Sequence, residues 1–436
     1  MKKRWCRKGC IILGWLLVWQ IISLLVGNDL LLVGPLETLR ALIVHGLEPG
    51  FWLACGGSVL RIGAGFLAGM LLGVVLAMLS AKKKWLEEVL EPVMTLLKTV
   101  PVASFVVLFL IWWRSAYLAV AISFCVTLPQ LYMNTLAGMK STDLQLLEMA
   151  QVFRISGKDK FFYIFRPALI PFWDSAICLA AGMSWKAGVA AEVIGLPANA
   201  IGERLYMSKI HLDTAGVLAW TVVTILLSVI FEKVVKACWQ RFGKWEPACK
   251  GAEKSATASA QVLQVEGLTK AYDGKVVVNK VTDTYEPGQI YYFRTPSGSG
   301  KTTLFRLIAG LEAADEGAVE GAEKGLSYLF QEDRLCEQYS AVKNVELITG
   351  NAFTAKGELL KLLEAEDLNK PCKELSGGMK RRVALVRAMV AKTPIVLLDE
   401  PYNGLDEENR EKVFAYIEAN AQNRIILMAT HMKQNS

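Results

Sequence analysis

The sequence predicts two fold classes in one chain: an α-helical membrane domain of about six transmembrane helices, then an α/β nucleotide-binding domain of the phosphate-loop type. Three observations carry this prediction. Long charge-free apolar runs fill the first 245 residues, the glycine-rich run Pro296-Ser297-Gly298-Ser299-Gly300-Lys301-Thr302-Thr303 lies in the second part, and the charge is divided unevenly between them. The hydrophobic share of the 436 residues is 53%, above the ordinary globular range. Met1 to Lys250 holds 25 Lys and Arg against 15 Asp and Glu, and the remainder 23 against 26, so the whole basic surplus of the +7 chain lies in its apolar part. Those cations form short clusters between apolar runs rather than one basic face, which argues for a lipid bilayer as partner and against nucleic acid.

Charge-free stretches of bilayer length run from Gly9 to Asn28, Ile62 to Ala81, Ser115 to Met139 and Thr214 to Phe231, each near the ~20 residues that cross hydrocarbon. Two weaker spans complete the six. One runs from about Val93 to Trp113, broken by Lys98 and Pro101; the other, about Leu169 to Ile194, is interrupted by Asp174, Lys186 and Glu192. Charge at bilayer depth is costly unless it faces a partner or cavity, so these two are expected to be irregular or packed against protein. Lys2, Lys3, Arg4, Arg7 and Lys8 place the N-terminus inside. Six crossings then return Lys82 to Lys84, the loop with Arg154, Lys158, Lys160 and Arg166, and the cluster from Lys233 to Lys244 to the same face, with the C-terminal domain. Both termini are therefore expected in the cytoplasm. Between the first two spans, Pro35 to His45 suits an amphipathic interfacial helix or a plain surface loop.

Residues 1–245 are thus read as the membrane domain, with a cytoplasmic loop over about 141–171. Residues 246–262, small and polar, read as a flexible linker, and 263–436 as the nucleotide-binding domain. The nine cysteines include no Cys-x-x-Cys pair. They indicate no metal or disulfide framework and fit a reduced, cytoplasm-facing protein.

The glycine-rich run explains its own chemistry. Ser297, Gly298, Ser299 and Gly300 let successive backbone N–H groups face nucleotide phosphates, Lys301 reaches the β- and γ-phosphates, and Thr302, beside Thr303, offers a hydroxyl to Mg²⁺. Ile395 to Leu398 reads as a buried parallel strand that delivers Asp399 and Glu400 to a sheet edge. Adjacent carboxylates there divide the labour: Asp399 holds Mg²⁺ through water, and Glu400 polarises the attacking water as general base.

Between these motifs lies Leu375-Ser376-Gly377-Gly378-Met379, and that order resembles the ATP-binding cassette (ABC) proteins. The resemblance implies ATP and Mg²⁺ as cofactors and assigns further roles. Tyr272, 29 residues before Lys301, corresponds to the aromatic that stacks on adenine. Gln331 corresponds to the glutamine that touches Mg²⁺ and the attacking water and links the site to the membrane domain. Asn403-Gly404-Leu405-Asp406 corresponds to the dimer-contact loop, and His431 to the γ-phosphate sensor. Because Ser376, Gly377 and Gly378 cap the nucleotide of the opposite subunit in this family, a second copy of the chain is implied. Two departures stand out. Thr295 occupies the position of the family's first loop glycine, where a β-carbon is expected to crowd the turn, and the sequence ends five residues after His431.

Glu148-Met149-Ala150, with Pro167-Ala168-Leu169-Ile170-Pro171, resembles the coupling loop of binding-protein-dependent importers, although Arg154 stands where that loop usually has glycine. Thr99-Val100-Pro101-Val102-Ala103, Leu136-Ala137-Gly138-Met139 and Ala190-Ala191-Glu192-Val193-Ile194-Gly195 look like permeases of the nitrate, sulfonate and taurine group, which includes transporters of thiamine-precursor pyrimidines. The resemblance implies a type I importer-like membrane domain in a prokaryotic cell membrane, served by an extracellular or periplasmic solute-binding protein. Arg61, Lys98 and Lys186 would suit an anionic solute, although packing and snorkelling explain isolated lysines equally well. An exporter half-transporter and a diverged membrane sensor are the alternatives.

Overall fold

The computed structural model describes every residue except Met1, Asp29, Lys244, 253–261, Ser297, Lys324, Gln422 and 431–436. The chain forms two compact units: Met1–Ser141 with Ala168–Trp245, and Thr142–Pro167 with Glu246–Ser436. Residues 142–167, expected as a loop of the membrane domain, thus pack into the nucleotide-binding unit.

The first unit is entirely helical. Among the described residues four helices are long and apolar enough to cross a membrane: Pro49–Lys82, Ser115–Lys140, Gly157–Gly195 and Thr214–Gly243. The span near Val93 to Trp113 is irregular as expected: it is two helices, Lys84–Thr99 and Val102–Trp112, bent by 103°. Pro101 supplies the break, since it lacks an N–H and disfavours helical geometry at Val100. Counting that pair as one span gives five. The N-terminal helix Lys2–Val26, 25 residues long, carries most of the first expected span, and its stretch Leu13–Val26 is apolar. Pro35–Gly46 is a helix, and Glu37 Oε2 reaches back to accept from the Gly34 N–H at 3.2 Å.

Helices Pro49–Lys82 and Leu118–Lys140 meet along a stripe of small residues. A Cβ built on Gly65 would lie 2.2 Å from the Val120 carbonyl oxygen, on Gly69 2.9 Å from that of Phe124, and on Gly73 2.8 Å from that of Leu128. The four-residue spacing puts all three glycines on one ridge, and their missing side chains let the two backbones touch.

For the expected span that holds Glu192, packing against protein is the alternative observed. Glu192 is fully buried within the continuous helix Arg166–Gly195, because its carboxylate is fully engaged. It accepts hydrogen bonds from Ser58 Oγ (2.6 Å), Arg61 Nε (3.1 Å) and the Gly202 N–H (3.4 Å). Arg61 Nη2 also donates to the Asn199 carbonyl at 2.8 Å. The Arg61 charge, read from sequence as suited to an anionic solute, is therefore compensated within the unit.

The second unit has two sheets. Strands β1 (Leu263–Tyr272), β2 (Lys275–Tyr285) and β4 (Glu316–Glu320) form an antiparallel sheet in the order β2-β1-β4. Strands β3 (Ile290–Phe293), β5 (Leu326–Leu329), β6 (Ile395–Asp399) and β7 (Ile425–Ala429) form a parallel sheet in the order β3-β7-β6-β5. Every residue of β5, β6 and β7 is buried, as the near-continuous apolar runs of a two-sided parallel sheet require. Phe293 and Asp399 both pair with Ala429, so the carboxyl ends of β3, β6 and β7 finish at one level, where α/β sheets bind ligands.

The core of this unit includes Met149, Ala150, Val152, Phe153, Ile155, Tyr163 and Ile164. The start of the expected linker is fixed there too. The Lys250 N–H donates to Asp159 Oδ2 at 3.0 Å, Tyr163 Oη donates to the Pro247 carbonyl, and the Ala252 N–H donates to the Ile348 carbonyl at 3.1 Å. Residues 247–252 are thus packed rather than a free tether; 253–261 lie outside the described residues.

Candidate nucleotide site

The phosphate loop joins β3 to helix Lys301–Ile308. Gly298 and Gly300 have φ of +81° and +85°, and a Cβ on Gly300 would lie 2.6 Å from the Val277 carbonyl oxygen. Only glycine fits that approach. Thr295, expected to crowd the turn, is absent from the residues with left-handed φ. Its hydroxyl lies 2.6 Å from Ser299 Oγ, and its carbonyl, with that of Pro296, accepts from Lys301 Nζ. Threonine closes the loop by a hydrogen bond where the expectation was a steric conflict. Ser297 lies outside the described residues.

At the end of β6, Asp399 is 2% exposed, and its Oδ2 accepts from Thr302 Oγ1 at 2.8 Å. Burial pushes its carboxyl above the ordinary value, while the Thr302 bond and the charge of Arg381 oppose that shift. No group of three His, Cys, Asp or Glu able to hold a metal occurs among the described residues. Thr302 and Asp399 are hard oxygen donors, and Mg²⁺, which keeps waters and takes nucleotide phosphates as ligands, suits so small a protein donor set.

Glu400 follows with φ +51°, an uncommon backbone conformation for a non-glycine residue, held by its N–H donating to the Ala429 carbonyl at 2.9 Å. Such strain is kept where the surroundings over-determine it, often at sites that do chemistry. Tyr272 stands at the end of β1, 40% exposed, with its hydroxyl 2.5 Å from Glu312 Oε1, and the Thr303 hydroxyl lies close enough to oppose the upward push that burial and Glu312 give its phenol. The tyrosine and the loop are thus brought together.

Ser376 caps helix Gly377–Val390, its Oγ accepting from the Met379 N–H at 3.4 Å. A Cβ on Gly378 would lie 3.0 Å from the Gly404 carbonyl oxygen, so this motif abuts the segment ending at Asp406. Asp406 is itself the cap of helix Glu407–Ala419, accepting from the Asn409 N–H at 2.9 Å. Gln331 is exposed, and its carbonyl accepts from Arg381 Nη1 at 3.2 Å. His431 lies outside the described residues; Thr430, just before it, donates its N–H to the Phe293 carbonyl at 3.3 Å.

Three arginines escaped the sequence reading. Arg381, buried, donates to the carbonyls of Phe330, Gln331, Asp399 and Glu400, tying the glutamine segment to the end of β6. Arg306, on the phosphate-loop helix, and Arg334, just after the glutamine segment, both hold Glu148. Arg306 contributes Nη1 and Nη2 at 3.0 and 2.8 Å, and Arg334 contributes Nη1 at 2.6 Å. Arg306, then Arg334, holds the Glu148 carboxyl below the usual carboxylate range against the opposing effect of burial. A cavity of about 510 Å³ lined by Gln151, Arg154, Leu268 and Leu307 lies in the same unit. It includes none of the phosphate-loop residues and is distinct from the candidate nucleotide site.

Family models match two stretches: "ABC transporter" over residues 278–403, and "Binding-protein-dependent transport system inner membrane component" over residues 69–244. The aliphatic sulfonates import ATP-binding protein of Rhodococcus jostii is 37% identical over 39% of this chain and 72% of its own length. The chain belongs to the ABC transporter family. It is a fused permease and ABC ATPase, and with its apolar helices a multi-pass membrane protein. A sulfonate import ATP-binding protein of Cupriavidus necator is also 37% identical, over 40% of this chain, which spans 61% of that relative's length. A Nod factor export ATP-binding protein of Rhizobium johnstonii is 30% identical over 42% of the chain and 65% of its own length. The ATPase half of this ABC transporter thus resembles both import and export cassettes, whereas its permease half matches a binding-protein-dependent type. Among solved structures, a putative ABC transporter ATP-binding protein from Pyrococcus furiosus is 26% identical, covering 40% of this chain and 94% of that one, with a TM-score of 0.36.

Proposed function

We propose that the chain forms a homodimer in a prokaryotic cell membrane, both termini cytoplasmic, and imports a small solute delivered by an extracellular or periplasmic binding protein, using ATP hydrolysis. The observation that carries this reading is the grip of Arg306 and Arg334 on Glu148. It joins the segment between two membrane helices to the phosphate-loop helix and to the glutamine segment at once. A change of nucleotide state that shifts either element is thereby delivered to one carboxylate, and a population shift needs such a differential contact.

Within the site, Tyr272 supports the base, while Ser297 to Lys301 and Thr303 hold the phosphates. Thr302, Asp399 and Gln331 hold Mg²⁺, which neutralises phosphate charge when bound. Glu400 takes the proton of the attacking water, and His431 and Gln331 orient the γ-phosphate end. Ser376, Gly377, Gly378 and Asp406 serve the nucleotide of the second copy. Sulfonates are the first solutes to test, because two of the relatives described are named for their import; taurine, nitrate and thiamine-precursor pyrimidines follow.

The test is ATP-dependent uptake of each radiolabelled solute into proteoliposomes containing the purified chain and a binding protein encoded beside it. Uptake that needs both ATP and the binding protein supports import. Outward movement without a binding protein replaces this reading with the exporter one.

A further inference from the structure

The ion pairs around Glu148 extend beyond it to the tyrosine at the base side of the nucleotide site. Tyr272 Oη donates to Glu312 Oε1 at 2.5 Å, and Glu312 Oε2 accepts from Arg306 Nε at 3.4 Å. Arg306 then gives both terminal nitrogens to Glu148, which also takes Arg334 Nη1. Arg334 closes the series with Glu332 at 3.3 Å and lays its guanidinium 3.8 Å from the centre of the Phe330 ring. Glu312, Arg306, Glu148 and Arg334 have side chains 24%, 25%, 16% and 6% exposed, so their charges interact in a partly dehydrated setting and polarise one another.

The geometry points to Glu312 as a positioning residue that reports occupancy of the base platform to the segment around Glu148, by a route separate from the phosphate contacts of Lys301, Thr302 and Gln331. The physical basis is competition. Arg306 divides its five donors between two carboxylates. While Glu148 holds the terminal nitrogens in a two-toothed pair, Glu312 keeps an oxygen for the Tyr272 hydroxyl. When the Glu148 contact weakens, the released guanidinium closes on Glu312, the carboxylate turns from the tyrosine, and the ring loses its orienting bond. By linkage the converse holds: a base seated on Tyr272 fixes Glu312, leaves Arg306 to Glu148, and favours the held state of the segment. This rests on the reading that Tyr272 carries the base.

A double-mutant cycle on the purified full-length chain tests it, with binding of ATP compared against binding of inorganic tripolyphosphate, which has no base. Glu148→Gln is expected to weaken ATP binding about fivefold or more beyond any effect on tripolyphosphate, fivefold being the low end of ordinary site-to-site coupling. In backgrounds carrying Tyr272→Phe or Glu312→Gln, each a near-isosteric change, that base-dependent part should vanish. Retained tripolyphosphate affinity reports that the variants are folded. A base-dependent effect of Glu148→Gln that persists in both backgrounds, or one that is absent from the parent, overturns the relay. Tyr272→Ala separates the two ideas: if it weakens ATP binding while the cycle is additive, the platform stands and the relay falls, and if it leaves ATP affinity unchanged, both fall.

Discussion

Reversing the charge at Glu148 is the sharpest single perturbation of the coupling idea. The carboxylate accepts three charge-assisted bonds, at 3.0, 2.8 and 2.6 Å, from two guanidinium groups. Breaking a fully buried pair costs about 3–5 kcal/mol, and an exposed pair contributes about 0–1 kcal/mol. Glu148 is 16% exposed and Arg334 6%, with Arg306 at 25%, so the site lies nearer the buried limit. Loss of the anion should cost about 2–4 kcal/mol, about 30- to 700-fold in the equilibrium between held and released segment. Glu148→Lys adds repulsion between three cations. In proteoliposomes the variant is expected to hydrolyse ATP while solute uptake collapses. The pH dependence has a definite sign. The Arg306 and Arg334 bonds lower the Glu148 carboxyl in the held state, so the contribution is complete above the usual carboxylate value of 4.5 and is lost as pH falls through the lower, held value. Coupling should therefore not change from pH 6 to 8 on account of this group. Parental ATPase and parental uptake in Glu148→Lys would refute the reasoning.

Four further outcomes are expected. Glu400→Gln keeps the shape and removes the base, so steady-state ATP hydrolysis should fall about 10²- to 10⁴-fold with ATP binding retained; equal turnover would remove Glu400 from that role. Thr295→Gly loses the Ser299 bond and should weaken ATP binding about 2- to 12-fold, the equivalent of one neutral hydrogen bond; tighter binding would show that the β-carbon does crowd the loop. Arg61→Met strands the buried Glu192 carboxylate and should cost about 3–5 kcal/mol in detergent melts, with Arg61→Met/Glu192→Leu recovering most of it; a single variant as stable as the parent would show the pair to be dispensable. Gly65→Ala puts a Cβ 2.2 Å from the Val120 carbonyl oxygen and should lower the melting temperature, by a cost of about 1–3 kcal/mol or more; an unchanged melt would mean that the two helices separate freely.

The nucleotide site was legible because its parts are local. A phosphate loop, a capped helix and a strand-end acid pair each declare themselves within eight residues, and the sheet only aligns them. The roles of Arg306, Arg334 and Arg381 were hidden because each is defined by a partner far along the chain, and Arg306 and Arg381, in helical patterns, read as solvated faces. The break at Pro101 was readable from Lys98 and Pro101 themselves. Gly65, Gly69 and Gly73 were readable in principle as a four-residue repeat, a signal that apolar content alone masks. The packing of residues 247–252 was opposite to what their small polar composition suggests, since Tyr163 and Asp159, which hold them, lie nearly ninety residues upstream.

The place of residues 142–167 in the nucleotide-binding core also sets an order of events during synthesis. Glu148 leaves the ribosome 158 residues before Arg306 and 186 before Arg334, an interval of roughly 8–40 s at ordinary elongation rates. Throughout it, Met149, Ala150, Tyr163 and Ile164 have no core to enter, while the next apolar helix is already being made. The apolar face of that early segment therefore stays uncovered until the nucleotide-binding unit has been made. Cutting the gene at Glu246 to make the ATPase alone would therefore expose the apolar surface that Met149, Ala150, Tyr163 and Ile164 cover, and a supplied 142–167 peptide is expected to bind there.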